Sequence, residues 1–184
     1  MLTKDGLVTE ISKTIVKIKV EKLTAILDKQ QFALRDLIDL TFHEDNNIAF
    51  RAAWILENLF LKKPESYLDE LEYLVSRMKD VSHPGCKRHY AKIIMHVTAK
   101  KVPGPIKQKL QITDLESVVE KLFDWLIDPK VLVAVKVFAA EALFNLRTRY
   151  PWISEELKEQ VKFLMRDGSA AMQARGKKLL AKLD

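Results

Sequence analysis

The chain has 184 residues, 31 lysines and arginines against 25 aspartates and glutamates, 48% hydrophobic residues, 5 glycines and 6 prolines. That size suffices for a core of its own, and the composition excludes long disordered tracts and, with Cys86 as the only cysteine, an intramolecular disulfide scaffold. The net charge of +6 invites an acidic partner without specifying one.

The start, "MLTKDGLVTE", lacks the basic-then-apolar pattern of a secretory signal. Residues 1–30 are expected to form an N-terminal cap, with a helix over about 7–29. Within it, "IVKIKVE" alternates Val16, Ile18 and Val20 with Lys17, Lys19 and Glu21 like a strand, but helical patterns flank it and favour a helix. A helix over 32–43 follows, and "HEDNN" punctuates the chain before a second over 46–62, where Ile48, Ala52, Ile55, Leu56 and Leu59 recur at three and four residues. Pro64 in "KKPES" opens the next helix, 65–79, on Leu68, Leu71, Leu74, Val75 and Met78. "SHPG" precedes a helix over 86–100. The interval "KKVPGPIKQKL" then reads as an exposed loop with Lys100, Lys101, Lys107 and Lys109 and no acid. Thr113 and Glu116 make a capping-box pattern before a helix over 114–127, "DP" precedes one over 130–149, and "YPWISEE" and "RDG" separate two more over 154–165 and 169–183. The apolar run "VLVAVKVFAAEALFNL" is interrupted by Lys136 and Glu141 well short of a membrane span, so a cytoplasmic protein with no membrane association is expected.

One stretch recurs. "RAAWILENL" from Arg51 aligns with "FAAEALFNL" from Phe138, with five of nine positions identical, and "HYAKIIMHV" from His89 and "RGKKLLAKL" from Arg175 keep the small and aliphatic pattern more loosely. The steps between these starts are 38, 49 and 37 residues. A period near forty holding two helices resembles the HEAT and armadillo class of repeats, as does an aspartate before a second helix with a basic residue inside it: Asp45 with Arg51, Asp128 with Lys136, Asp167 with Arg175. The second repeat departs by placing Ser82 where the others have aspartate. The resemblance implies an all-α fold: a short right-handed α-α superhelix of about four helix pairs over 31–183, plus an N-terminal capping helix, in a single domain over 1–184. A compact helical bundle is the alternative.

At about 100° per residue, Arg51, Trp54, Asn58 and Lys62 share a face beside the core side of their helix. The same offsets select His89, Lys92, His96 and Lys100, then Phe138, Glu141, Asn145 and Arg149, then Arg175, Lys178 and Lys182. Stacked, they would form one ridge with eight basic residues and one acidic, net +7 with histidine neutral. HEAT-like solenoids line their concave surface with second helices, so the resemblance implies a basic groove containing Trp54 and Phe138. Asn58, His96 and Asn145 would form a ladder between repeats.

Other constellations point to less. His83, Cys86, His89 and His96 lie within fourteen residues, but His89 and His96 are about 10 Å apart along a helix and no paired C-x-x-C occurs, so no metal is expected. Cys86 near a helix start raises the question of a lowered thiol pKa, with an inert cysteine the expectation. Glu57 and Glu141 sit in different repeats at different offsets, which gives no catalytic pair and favours salt-bridged surface glutamates. Trp125 reads as core, and phosphate-binding glycine motifs are absent. "GSAAMQARGKK", 168–178, resembles the flexible signature loop of the aspartase/fumarase/adenylosuccinate lyase superfamily at Gly168, Ser169 and Met172, but Ala170 and Gln173 stand where that loop has serine and proline. Glu141 beside Phe138, with Trp54, is similar to the aromatic and carboxylate groups of the HEAT-like alkylpurine DNA glycosylases. Their tryptophan with a carboxylate four residues on is missing, Asn58 standing there. The expectation is a non-catalytic scaffold, without cofactor, docking an acidic partner: a protein first, nucleic acid as the alternative, and lyase activity last.

Overall fold

The computed structural model describes residues 2–13, 17–27, 29 and 32–183, and of residues 17–20 the backbone alone. Eleven α-helices and no strand occur among the described residues. The N-terminal segment expected as one capping helix contains two, α1 (Lys4–Ser12) and α2 (Lys17–Leu27). Ile15 and Val16, where the strand-like stretch begins, lie outside the described residues, whereas 17–21 are helical. The Thr3 hydroxyl accepts from Gly6 N–H at 3.2 Å and starts α1.

α3 (Leu34–Leu40) and α4 (Asn46–Lys62) form the first pair. Asp45 Oδ1 accepts from Asn47 N–H at 2.7 Å, so the aspartate before a second helix is its N-cap. Pro64 opens a 3₁₀ segment, Pro64–Glu70, which runs into α5 (Leu71–Arg77). α6 (Pro84–Val97) starts with His83 Nδ1 accepting from Cys86 N–H at 3.4 Å; histidine does in this repeat what aspartate does in the first. The interval expected as a loop is helical over α7 (Gly104–Ile112), which buries Ile106 and Leu110 and packs on the 3₁₀ segment. This inserted helix accounts for the long second step, from His89 to Phe138. It also changes the next cap: Thr113 Oγ1 donates backwards to Lys109 O at 2.8 Å, and Asp114 Oδ1 accepts from Glu116 N–H at 2.9 Å in place of the expected capping box. α8 (Glu116–Ile127), α9 (Val133–Leu146), α10 (Ile153–Met165) and α11 (Ala170–Leu183) complete the chain.

The four second helices lie side by side, α4 on α6, α6 on α9 and α9 on α11. The first helices form an outer row in which α5 touches α3 and α8, while α8 pairs with α9 and α10 with α11. Serial stacking of this kind, and not closure into a bundle, is what lets each repeat bury the open apolar side of its neighbour. The core is continuous from Leu7 to Leu179, with Trp125, Tyr90 and Phe60 as its largest fully buried side chains. Two glycines set close approaches. A Cβ at Gly85 would lie 2.6 Å from a Phe50 ring carbon, and one at Gly176 would fall against Met165 and 3.2 Å from Val161 Cγ1.

Candidate binding surface

At the α4–α6 junction the structure corrects the reading of Glu57 as a surface residue: its side chain is only 6% exposed. Its Oε2 accepts from His89 Nδ1 and its Oε1 from Lys92 Nζ, both at 2.6 Å. Burial alone pushes this carboxyl up, but the bonds from His89 and Lys92 outweigh it and hold the group below the usual carboxylate range. Trp54 stacks on the His89 ring, centroids 6.1 Å apart, and meets Phe50 at 5.8 Å. Trp54 and Lys92 are therefore held by internal contacts, and Asn58 Nδ2 donates to Trp54 O within its own helix at 2.9 Å.

Two arginines of the predicted ridge serve helix ends. The Arg51 guanidinium donates to Ile11 O at 3.2 Å and Ser12 O at 3.0 Å, adding a side-chain donor to carbonyls at the C-terminal end of α1. Arg149 does the same beyond α7, donating to Leu110 O at 2.6 Å and Thr113 O at 2.9 Å. Arg175 pairs with Glu141 at 3.1 Å. Asn145 Nδ2 crosses from α9 to α6, donating to Met95 O at 3.1 Å and Thr98 Oγ1 at 3.3 Å. His96 is half-buried, and burial and Lys92 lower its pKa. Phe138 is partly buried against the core.

The remaining cations differ. Lys62, Lys100 and Lys178 are exposed and in no hydrogen bond or ion pair among the described residues, while Lys182 Nζ lies 5.5 Å from the Phe144 ring centre. The ends of α6 and α9 and the inserted α7 enclose a pocket of about 650 Å³. Lys100, Lys107, Arg147 and Arg149 line it beside Phe144 and Asn145, and no acidic residue does. The half-buried Arg147 lies over the Phe144 ring at 3.6 Å, a cation–π contact, and its guanidinium also donates to Phe144 O. Arg147 follows the ridge helix and escaped the offset pattern. Lys107 was visible as part of a lysine-rich interval, but its position beside α9 depends on α7 being helical.

The histidines and the cysteine have separate tasks. His83 caps α6, His89 pairs with Glu57, and the Cys86 thiol, which donates to Thr41 O at 3.6 Å, is pushed up to about 12 by burial. A helix start does not lower this thiol, because desolvation dominates. No three His, Cys, Asp or Glu side chains among the described residues are placed to hold a metal ion. The segment compared with a lyase signature loop is ordinary helix from Ala170 onward.

No curated protein and no solved structure matches the chain. Among the described residues no helix is long and apolar enough to cross a membrane. The description "HEAT repeat domain" matches residues 7–183, nearly the entire sequence, in agreement with the stacked helix pairs: the chain belongs to the HEAT repeat family.

Proposed function

We propose that this protein is a non-catalytic binding module that docks a short acidic segment of a partner protein in the pocket between α6, α7 and α9. The observation that carries the reading is the lining of that pocket: Lys100, Lys107, Arg147 and Arg149 with no acidic residue, around an aromatic ring. A cluster of cations beside an apolar surface suits carboxylates carried on a chain with some apolar side chains. Duplex DNA presents one charge per roughly 1.7 Å of its axis and asks for a continuous track of cations. Here Arg51, Lys92 and Arg175 of the ridge, all outside the pocket, are engaged internally, which interrupts such a track and favours a compact acidic peptide.

The test is fluorescence anisotropy with a labelled peptide of alternating glutamate and leucine, beside labelled duplex and single-stranded DNA, at low and physiological salt. The expected result is salt-sensitive peptide binding that weakens about tenfold or more in Lys100→Glu/Lys107→Glu. DNA binding tighter than peptide binding, removed by the same substitutions, would transfer the site to nucleic acid. Peptide binding untouched by the charge reversal would sink the assignment to this pocket.

A further inference from the structure

Nine residues before Asn145, about 14 Å along α9, a second cavity of about 300 Å³ opens at the other end of the helix. Its walls come from the start of α9, the end of α10 and the start of α11: Val133, Lys136, Phe163, Arg166, Asp167, Ser169 and Met172 among them. Lys136 is the unusual member. It is 7% exposed, and no hydrogen bond or ion pair engages it among the described residues. Its stem is covered, while the ammonium opens onto the cavity with no protein group among the described residues hydrogen-bonded to it. Asp128 acts on it only as a more distant charge, and burial pulls its pKa down.

Two further features give the cavity the same sign. α11 is a fourteen-residue helix that begins at its rim, where Ser169 Oγ accepts from Met172 N–H at 3.4 Å. The N–H groups of Ala170 and Ala171 lead that helix with no intrahelical acceptor, as the first turn of any helix requires. Arg166 adds a second cation, its guanidinium 5.7 Å from the Phe163 ring centre. Asp167 is the one acidic lining residue. Two cations and a helix N-terminus face one lining carboxylate, while Asp128 and Glu159 offset part of the charge of Lys136 and Arg166 from outside the wall, leaving only a small positive excess. That balance suits a monoanion better than a dianionic phosphate. Val133, Phe163 and Met172 give the remainder of the wall an apolar character, and the volume lies at the small end of ligand cavities.

We infer that this cavity is a site for a carboxylate carried on a short apolar body, with Lys136 as its counter-ion and the start of α11 as its hydrogen-bond donor. Arg166 holds the outer edge. The carboxylate arrives either as a free aliphatic acid or as the end of a peptide chain with an apolar last residue; the chemistry recognised is the same. The site is independent of the acidic-peptide pocket, because Lys100 and Lys107 do not line it.

Titrations of the full chain followed by two-dimensional amide NMR test the inference with four probes: hexanoate, hexanamide, N-acetyl-Ala-Leu and its C-terminal amide. One carboxylate probe is expected to shift Ser169, Ala170 and Ala171, its amide to shift them roughly tenfold more weakly, and Lys136→Met to lose binding by about the same factor. The preferred carboxylate identifies the source. Arg166→Gln, at an exposed position, serves where Lys136→Met perturbs the fold, and should weaken binding several-fold. Lys100→Glu/Lys107→Glu should leave these shifts intact. Equal shifts from acid and amide, unchanged affinity in both variants, or no shift from either carboxylate at about 10 mM, a concentration that detects even millimolar sites, would overturn the inference.

Discussion

The α4–α6 and α9–α11 junctions each set a glutamate on one second helix against a cation on the next, yet one is dry and the other wet. Glu57 is 6% exposed and meets His89, at 1%, and Lys92, at 27%. Glu141 is 21% exposed and meets Arg175 at 53%. In the first, Trp54 and Phe50 close over the His89 ring and exclude water. In the second, Arg175 lies on the open side of α11, the outermost of the described second helices, and water reaches both partners. Similar acid–base chemistry therefore has different energetic meaning. The enclosed glutamate has already lost its hydration and depends on both partners, whereas the exposed one can exchange its arginine for water at little cost.

Glu57→Ala should give the largest effect. It strips the charge and hydrogen-bond partner from a buried histidine and a half-buried lysine, and a loss of about 3 kcal/mol in urea unfolding is expected. A loss below about 1 kcal/mol would mean that water reaches the junction and that the contrast is illusory. The same cluster sets a pH dependence. Its folded carboxyl lies below the ordinary value of 4.5, so its contribution is in place above that value and disappears as pH falls through the lower folded one. Wild type should lose more stability between about pH 5 and pH 3 than Glu57→Gln, which has no carboxyl there to protonate.

Gly176→Ala comes next and probes what holds the wet junction. The added methyl would fall against Met165 and lie 3.2 Å from Val161 Cγ1 at the α10–α11 contact. Met165 can move, so a loss of about 2 kcal/mol is expected in chemical denaturation. An unchanged midpoint would show that α11 is loosely seated. Asn145→Ala, at the α6–α9 contact between the two junctions, removes a donor shared by Met95 O and Thr98 Oγ1. About 1 kcal/mol should be lost, with the amides of 95–99 exchanging faster; no change in either would make this bond dispensable.

The legible part of the molecule is what periodicity controls. Ile48, Ala52, Ile55, Leu56 and Leu59 are buried, and the apolar spacing around them placed the second helices because a helix must hide one side. α7 was not legible: Pro103, Gly104 and Pro105 resemble a turn, yet proline in the first turn of a helix loses only an N–H that has no partner there anyway. The ridge shows the other limit. Offsets on a helical wheel place a side chain on a face but do not say what stands opposite. Arg51 meets the end of α1, forty residues earlier in sequence, and Arg149 the end of α7. Glu57 looked solvated because its partners, His89 and Lys92, lie a repeat away. The basic pocket needed both failures repaired, since Lys107 depends on α7 and Arg147 on the turn after α9.

The smallest expected effect is the sharpest check on the comparison. Glu141→Ala, Arg175→Ala and the double variant form a cycle across the wet junction, and the coupling it returns should be about 0.5 kcal/mol or less. Both single changes leave a partner that water can solvate, so neither strands a buried charge. The coupling should shrink further at about 1 M salt, where screening acts over about 3 Å. In the Glu57–Lys92 cycle, enclosed by Trp54 and His89, the coupling should exceed this and respond less to salt. If the Glu141–Arg175 pair instead couples by more than about 1.5 kcal/mol and keeps it in salt, the end of the stack is covered in solution, and the surface above Arg175 becomes a place to look for a partner.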